Sequence, residues 1–349
     1  MTRIGINPAR HRVSAYRPAR ITVAMLVYLP HLQGYFEHRL EVVKLSLSSL
    51  LRHSDVGYDL MVFDNGSCAE LKAHLGALQE EGILRYLLTS SENIGKLGAL
   101  RLMAGAAPGE VFAYTDDDTF FYPGWLSAHL ALLDGFPEVG MVSGSPERTL
   151  FDHAVANTVR FGQRDPEARL SYGRRIPDQW EREWAVALGK DPEEYLAQVR
   201  QIDDILIERR GLQAYATACH NQFVAPREMV LRLLQGPWSG RLMGGLNELD
   251  SAIDAGGSLR LTTVERTTRL IGNLVSPAME AEARRFGIGT HARPWPSFVP
   301  GRRGALRRLI VRGPIRRLLQ GVYNRLFWLL SGQSTDWLSR EAHASEREP

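Results

Sequence analysis

Val111-Phe112-Ala113-Tyr114-Thr115-Asp116-Asp117-Asp118 is an apolar run that ends in three consecutive aspartates, and Thr119-Phe120-Phe121-Tyr122-Pro123-Gly124-Trp125-Leu126 follows at once. Apolar residues on both sides of the acids favour the end of a buried strand over the competing reading, a solvated acidic turn. Strand ends open onto the crevice of an open α/β sheet, which is where ligands bind. Three carboxylates that close repel one another unless a cation lies among them. Hard oxygen donors in that arrangement suit Mg²⁺ or Mn²⁺, which take one or two carboxylates and complete their shell with substrate phosphates. The run therefore points to a metal that holds a phosphorylated substrate.

Outward from this strand the pattern repeats. Ile21 to Leu29 reads as a doubly covered parallel strand, and Glu37 to Arg52 carries Leu40, Val43, Leu47, Leu50 and Leu51 at helical spacing. Tyr58 to Phe63 is a second strand that stops at Asp64-Asn65-Gly66-Ser67, with Ser67 placed to cap a helix through Leu71, Leu75 and Leu78. A third strand, Leu84 to Leu88, leads to Asn93-Ile94-Gly95-Lys96-Leu97-Gly98-Ala99 and another helix. Such alternation specifies an α/β fold with a central, mostly parallel sheet flanked by helices. On one edge of that sheet Asp64 is placed to accept hydrogen bonds from a ribose or a base, although Asn65-Gly66 alone reads equally as a turn. Gly95 lets backbone N–H groups approach a ligand before the helix starts, and Lys96 is available for a phosphate. The stretch matches neither the P-loop pattern nor Gly-x-Gly-x-x-Gly, which disfavours a P-loop ATPase and a dinucleotide fold.

Taken in order, Asp64-Asn65-Gly66-Ser67, Asn93-x-Gly95 with Ala99, Asp116-Asp117-Asp118 and the Pro123-Gly124-Trp125-Leu126 turn resemble the nucleotide-binding half of family 2 glycosyltransferases of the GT-A fold, over residues 20 to 145. The resemblance implies a Rossmann-like nucleotide-diphospho-sugar transferase with Mn²⁺ or Mg²⁺ as cofactor, a nucleotide-diphosphate sugar donor, a glycan or lipid-linked acceptor, and inversion. It places Asp64 near the nucleoside and Asn93, Gly95 and Lys96 around the donor. It makes Asp116 and Asp118 the Asp-x-Asp pair, Asp118 for direct metal contact and Asp116 for the ribose or the metal shell. Asp117 belongs to the same donor-binding cluster but points to the other face of an extended segment, where a structural role is open to it.

Transfer of a glycosyl group needs a cation on the departing diphosphate and a base for the acceptor hydroxyl. The candidates for the base lie in Gly244-Gly245-Leu246-Asn247-Glu248-Leu249-Asp250-Ser251-Ala252-Ile253-Asp254-Ala255-Gly256-Gly257. Leu249, Ala252 and Ile253 read as the buried face of a short helix, leaving Asp250 and Asp254 together on another. Glu248 and Asp250 resemble the family's acidic pair at a helix start; they do not share a face, so only one would reach the acceptor. A capped surface helix with solvated acids is the alternative. Ala218 to Pro226 reads as a strand interrupted by polar residues, and His220 and Asn221 are expected at the acceptor, with His220 open to a third metal contact or a core role. Trp125 is expected to stack on a sugar or to floor the fold. Thr267 to Asn273 offers no histidine for the metal.

The chain of 349 residues is long enough for one large core or two modest ones. Cys68 and Cys219 make no disulfide framework, no secretory h-region stands near the N-terminus, and the longest apolar run falls far short of the ~20 residues of a spanning helix. A cytoplasmic location is expected, with peripheral attachment to the inner face of the plasma membrane as an extension of it. Net charge is +3 but uneven. Residues 1–20 form a flexible basic arm, 21–145 the nucleotide-sugar half, 146–212 a helical insertion built on Trp180, Trp184, Leu188, Tyr195, Leu196, Val199, Ile202, Ile205 and Leu206, and 213–292 the acceptor half. Residues 293–349 form a C-terminal helical tail, basic and amphipathic; through 302–330 it suits an anionic membrane surface or packing against the core. Nucleic acid is not an expected partner. Two other functions remain open. A sugar-phosphate nucleotidyltransferase is disfavoured because the first strand ends in Tyr28-Leu29-Pro30 without a glycine-rich triphosphate loop, and the other is a catalytically silent nucleotide- or glycan-binding protein of the same fold.

Overall fold

β1 (Ile21–Val27) and β2 (Asp59–Asn65) are buried at every position, as near-continuous apolar strands must be when helices cover both faces of a sheet. The computed structural model describes residues 7, 9–10, 12–236, 242–243 and 245–289. Between and after these two strands come α1 (Arg39–His53), α2 (Ala69–Glu80), β3 (Tyr86–Ser90), α3 (Lys96–Ala106) and β4 (Val111–Asp116). The chain continues through β5 (Thr119–Phe121), α4 (Trp125–Gly135), β6 (Val139–Ser143), α5 (Ala156–Arg164), β7 (Ala168–Gly173), α6 (Asp178–Ala187), α7 (Pro192–Val199), β8 (Asp204–Arg209) and β9 (Leu212–Tyr215). It closes with β10 (Gln222–Pro226), α8 (Arg227–Leu233), α9 (Leu246–Ala255), β11 (Leu259–Thr263), β12 (Thr268–Leu270) and α10 (Pro277–Arg285).

One ten-stranded sheet has the order β3-β2-β1-β4-β10-β6-β11-β9-β8-β7, and β12 pairs with β5 in a separate two-stranded sheet. β3, β2, β1 and β4 are mutually parallel, as are β6 and β11. Only β10, β9 and β7 run against the rest. The fold is thus the mostly parallel α/β sheet that the alternation implies. Its strand order reverses between β1 and β4, and the crevice of such a sheet opens at that reversal. The register sets Val27 against Asp64 on one side and Leu26 against Asp116 on the other. Alternate residues of β1 feed two cores: Val23, Met25 and Val27 pack with α1, α2 and α4, while Ala24 and Leu26 pack with α3, α8 and α9.

Three expectations change. Ser67 does not cap α2, whose N-cap is Cys68 without a side-chain bond; its hydroxyl instead accepts from Leu29 N–H at 3.1 Å and ties the end of β1 to the β2 turn. The stretch 146–212 is not purely helical. α6 and α7 hold the tryptophans and Tyr195, but β7, β8 and β9 extend the sheet as an antiparallel meander. Ile205 and Leu206, read at helical spacing, belong to Asp204-Ile205-Leu206-Ile207-Glu208-Arg209, where β-branched residues favour a strand. Gln222 is the first residue of β10, so His220 and Asn221 precede the strand. The basic segment 293–349, with the membrane-surface expectation for 302–330, lies outside the described residues. Among the described residues no helix is long and apolar enough to cross a membrane.

Candidate active site

At the end of β2, Asp64 is fully buried, and its Oδ1 accepts from Ser67 N–H at 2.9 Å. Its Oδ2 has no hydrogen-bond partner among the described residues. A buried carboxylate oxygen left unpaired is costly, so the position suits a ligand N–H or O–H. The next residue builds a clasp to the α3 turn. Asn65 Nδ2 donates to Asn93 Oδ1 at 2.9 Å, and Asn65 Oδ1 accepts from Ile94 N–H at 2.9 Å. Asn93 Oδ1 also accepts from Gly95 N–H at 2.9 Å. Gly66, at φ +88°, runs so close to Glu92 that a Cβ would lie 2.9 Å from its carbonyl carbon. Asn93 and Gly95 therefore shape the loop, with Asn93 Oδ1 taken up by Asn65 and the backbone.

The aspartate turn is laced with cations. Lys96 Nζ donates to Asp116 Oδ2 at 2.6 Å, and Tyr114 OH donates to Asp116 Oδ1 at 2.6 Å. Arg39, the first residue of α1 and buried, reaches Asp117 through Nη2 and Asp118 Oδ2 through Nη1, the latter at 2.9 Å. Burial pushes the Asp117 carboxyl up, Arg39 pulls it back, and Asp118 and Asp116 add to the push. Burial opposes the charge on Arg39, but Asp117 and Asp118 hold it above its ordinary range. Three carboxylates against two fixed cations leave a local excess of negative charge. The carbonyl of Asp118 accepts from Ile271 N–H at 2.7 Å, and Asp116 N–H donates to the carbonyl of Asn221 at 2.9 Å. The turn is thereby pinned from β12 and from the loop before β10.

Asp118 keeps a fifth of its side-chain surface exposed, and the surplus negative charge fits a divalent cation. No group of three His, Cys, Asp or Glu side chains among the described residues forms a protein cage for one. The donor set therefore fits Mg²⁺ or Mn²⁺ held by one or two carboxylates, with ligand oxygens and water for the rest.

On the other side of the turn, His220 Nδ1 lies 2.7 Å from Asp250 Oδ2. Asp250 is 1% exposed, and Arg260 Nη2 stands 3.0 Å from its Oδ1, an ion pair whose angle makes no hydrogen bond. Buried Leu249, Asp250 and Ile253 share the inward face of α9, while Ala252 is exposed. This corrects the expectation that Asp250 pairs with Asp254 on an outer face; Asp254 instead accepts from Asn157 N–H at 2.8 Å. Glu248 is exposed. Trp125 is corrected too. It is 1% exposed, packs its ring at a tilt against Phe121 with centroids 4.7 Å apart and donates Nε1–H to Ser54 at 3.0 Å, so it floors the fold.

Two small adjoining hollows lie between α6 and the ends of β10 and β12. Among the described residues, three buried side-chain atoms along them have no hydrogen-bond partner: Gln222 Nε2, Arg269 Nε and Glu147 Oε1. Burial, with Glu181 beside it, pushes the Glu147 carboxyl well up, so it stays protonated far into the range where exposed acids ionise. Neither Arg39 nor Glu147 was singled out from sequence. A signal existed for Arg39: a cation in the first turn of a helix opposes the macrodipole, and something else must hold it there. Glu147, in an unremarkable Ser-Pro-Glu loop, gave none.

Residues 35–173 match the family model of Glycosyl transferase family 2. That segment includes Arg39, Asp64, Lys96 and the three aspartates. Among curated proteins none is similar to the chain. Similar solved structures include a mannosyltransferase, PcManGT from Pyrobaculum calidifontis in complex with GDP-Man and Mn²⁺, at 24% identity over 40% of this chain and 38% of that one, with a TM-score of 0.32. GalNAc-T7 with UDP, GalNAc and Mn²⁺ is similar at 15% identity over 73% of this chain and 45% of that one, TM-score 0.44. TarS 1-349 of S. aureus is similar at 11% over 72% of this chain and 59% of that one, TM-score 0.41. The chain spans less than two thirds of each of these.

Proposed function

We propose that the chain is a metal-dependent glycosyltransferase that moves a sugar from a nucleotide-diphosphate donor to the hydroxyl of a glycan or lipid-linked acceptor, with inversion. The observation that carries this reading is the meeting of Asp64, Lys96, Asp116 and Asp118 at the sheet's switch point, inside the segment that matches family 2. The unpaired oxygen of Asp64 suits an N–H or O–H of the nucleoside. Lys96, at the N-terminus of α3, can exchange Asp116 for a phosphate oxygen, with the helix end favouring the same negative charge. Mn²⁺ or Mg²⁺ would be held by Asp118, with Asp116 as second carboxylate, and would neutralise charge gathering on the departing diphosphate. Arg39 fixes the rotamer of Asp118 and keeps the cluster from repelling itself apart. The unpaired groups of Glu147, Gln222 and Arg269 suit hydroxyls of a sugar or acceptor. Of the two acids read as the base, Glu248 has the solvent access to meet an acceptor directly and Asp250 does not.

Calorimetry with UDP, GDP, dTDP and CDP, with and without Mn²⁺, tests the donor half. One nucleotide is expected to bind in a Mn²⁺-dependent way, with Asp118→Ala abolishing the metal dependence and Asp64→Ala weakening binding with or without metal. A folded wild-type protein that binds none of the four would overturn the reading.

A further inference from the structure

From the His220–Asp250–Arg260 chain of contacts, and resting on the glycosyltransferase reading, we infer that His220 is the base that deprotonates the acceptor, and that Asp250 is a positioning residue behind it. The pairing is direct, with Nδ1 of His220 at 2.7 Å from Asp250 Oδ2. A carboxylate facing one ring nitrogen makes that nitrogen the N–H and leaves the other, Nε2, as the basic one. Asp250 is 1% exposed on its side chain and His220 23%, so the ring is the part of the pair that solvent and substrate can reach. Asp250 cannot turn outward, because α9 holds it on its buried face and Arg260, itself fully buried, stands 3.0 Å from its other oxygen. Arg260 is fixed in turn by the carbonyls of His153 and Ala154 and by that of Ala218, two residues before His220. A buried cation, a buried carboxylate and a half-buried imidazole thus stand in sequence, the imidazole outermost.

The loop that carries the imidazole also meets the donor site through its backbone. The residue after it, Asn221, accepts the backbone N–H of Asp116 and lines the hollow with Gln222 and Arg269. The titratable and charged groups around this loop include Asp250 from α9, Arg260 from β11, Glu147 beside Cys219, and Lys96 and Asp116 from the donor side. In the step assigned here, the acceptor O–H proton passes to Nε2 and the oxygen's electron pair forms the bond to the anomeric carbon. The pair of the breaking carbon–oxygen bond leaves with the nucleoside diphosphate. Asp250 faces the imidazolium that forms, and the proton is lost to solvent after product departs.

The test uses the full chain with a panel of UDP-, GDP-, dTDP- and CDP-sugars in Mn²⁺, following release of nucleoside diphosphate with water as the acceptor, alongside calorimetry of the matching nucleoside diphosphate. His220→Ala is expected to bind that nucleotide as wild type does and to lose about 10²–10⁴ in kcat with donor KM unchanged, and added imidazole is expected to restore part of the rate. Asp250→Asn should bind nucleotide normally and lose up to about 10⁴ in kcat, because an amide in place of the carboxylate favours the wrong imidazole tautomer. Wild-type turnover in His220→Ala, or loss that imidazole leaves unrelieved while Glu248→Gln alone abolishes activity, would overturn the assignment and return the role to Glu248. Retained nucleotide binding in His220→Ala separates failure of this inference from failure of the donor-site reading, in which the wild-type chain binds no nucleotide.

Discussion

Arg39 is the residue on which the aspartate cluster leans most. A guanidinium buried between Asp117 and Asp118 offsets charge that the metal-free protein would otherwise carry unpaired. Removing one partner of such a network strands the others, at a cost of about 3–5 kcal/mol. Arg39→Met should therefore lower stability by that order in urea denaturation without metal, and Mn²⁺ should recover more stability in the variant than in wild type. Equal midpoints for variant and wild type in metal-free buffer would count against this role. Single side chains are only partly legible in the sequence. Asp64, Lys96, Asp116 and Asp118 do converge, because each follows a strand and strand ends gather at one edge. Trp125 and Asp250 did not behave as read, since a pattern of apolar positions says which residues are buried in general but not which polar or aromatic neighbour is carried inward with them.

At the scale of elements, β5 and β12 are only three residues each, yet they form the two-stranded sheet that closes the site. Phe120 of β5 is fully buried against Val42, Leu45, Ile271, Val275 and Met279. Phe120→Ala is expected to cost about 3–5 kcal/mol, read from denaturant midpoints, and to loosen the carbonyl of Asp118 enough to weaken Mn²⁺-dependent nucleotide binding. A variant that loses stability but keeps that binding would show the small sheet to be packing alone. The β-α alternation from β1 to β4 was legible because long apolar strands and amphipathic helices have distinct periods. β7 to β9 were not, because short half-exposed strands separated by turns share their apolar spacings with the helices beside them.

For the whole molecule, two buried titratable groups set opposite pH slopes. His129 is fully buried and burial pulls it down to about 4, although Trp125 O at 2.6 Å and Gln222 Oε1 at 3.1 Å face its ring nitrogens and pull the other way. The unfolded histidine takes a proton near pH 6.5, so between that pH and about 4 the unfolded state binds more protons and stability falls as pH falls. Glu147 acts in reverse. Its folded carboxyl stays protonated while the unfolded one ionises above about 4.5, so stability falls as pH rises above that value until the folded group ionises in turn. Glu147→Gln should accordingly raise the melting temperature at pH 7–8 and have little effect near pH 4, measured by thermal denaturation across pH. A variant that melts at the wild-type temperature at pH 8 would remove Glu147 as a source of the alkaline slope.

The clasp of β12 on β5 also bears on how the protein is made. Arg266 meets Tyr122 across 144 positions of sequence, and Ile271 holds the Asp118 carbonyl from still further on. As the chain leaves the ribosome, the acidic turn emerges long before the residues that fasten it. The residues that fasten the turn, Thr268 to Ile271, and those of α10 that pack behind it therefore come late in synthesis. A protease cut anywhere between Thr263 and Thr268, followed by loss of the downstream piece, would disarm the aspartates without touching one of them.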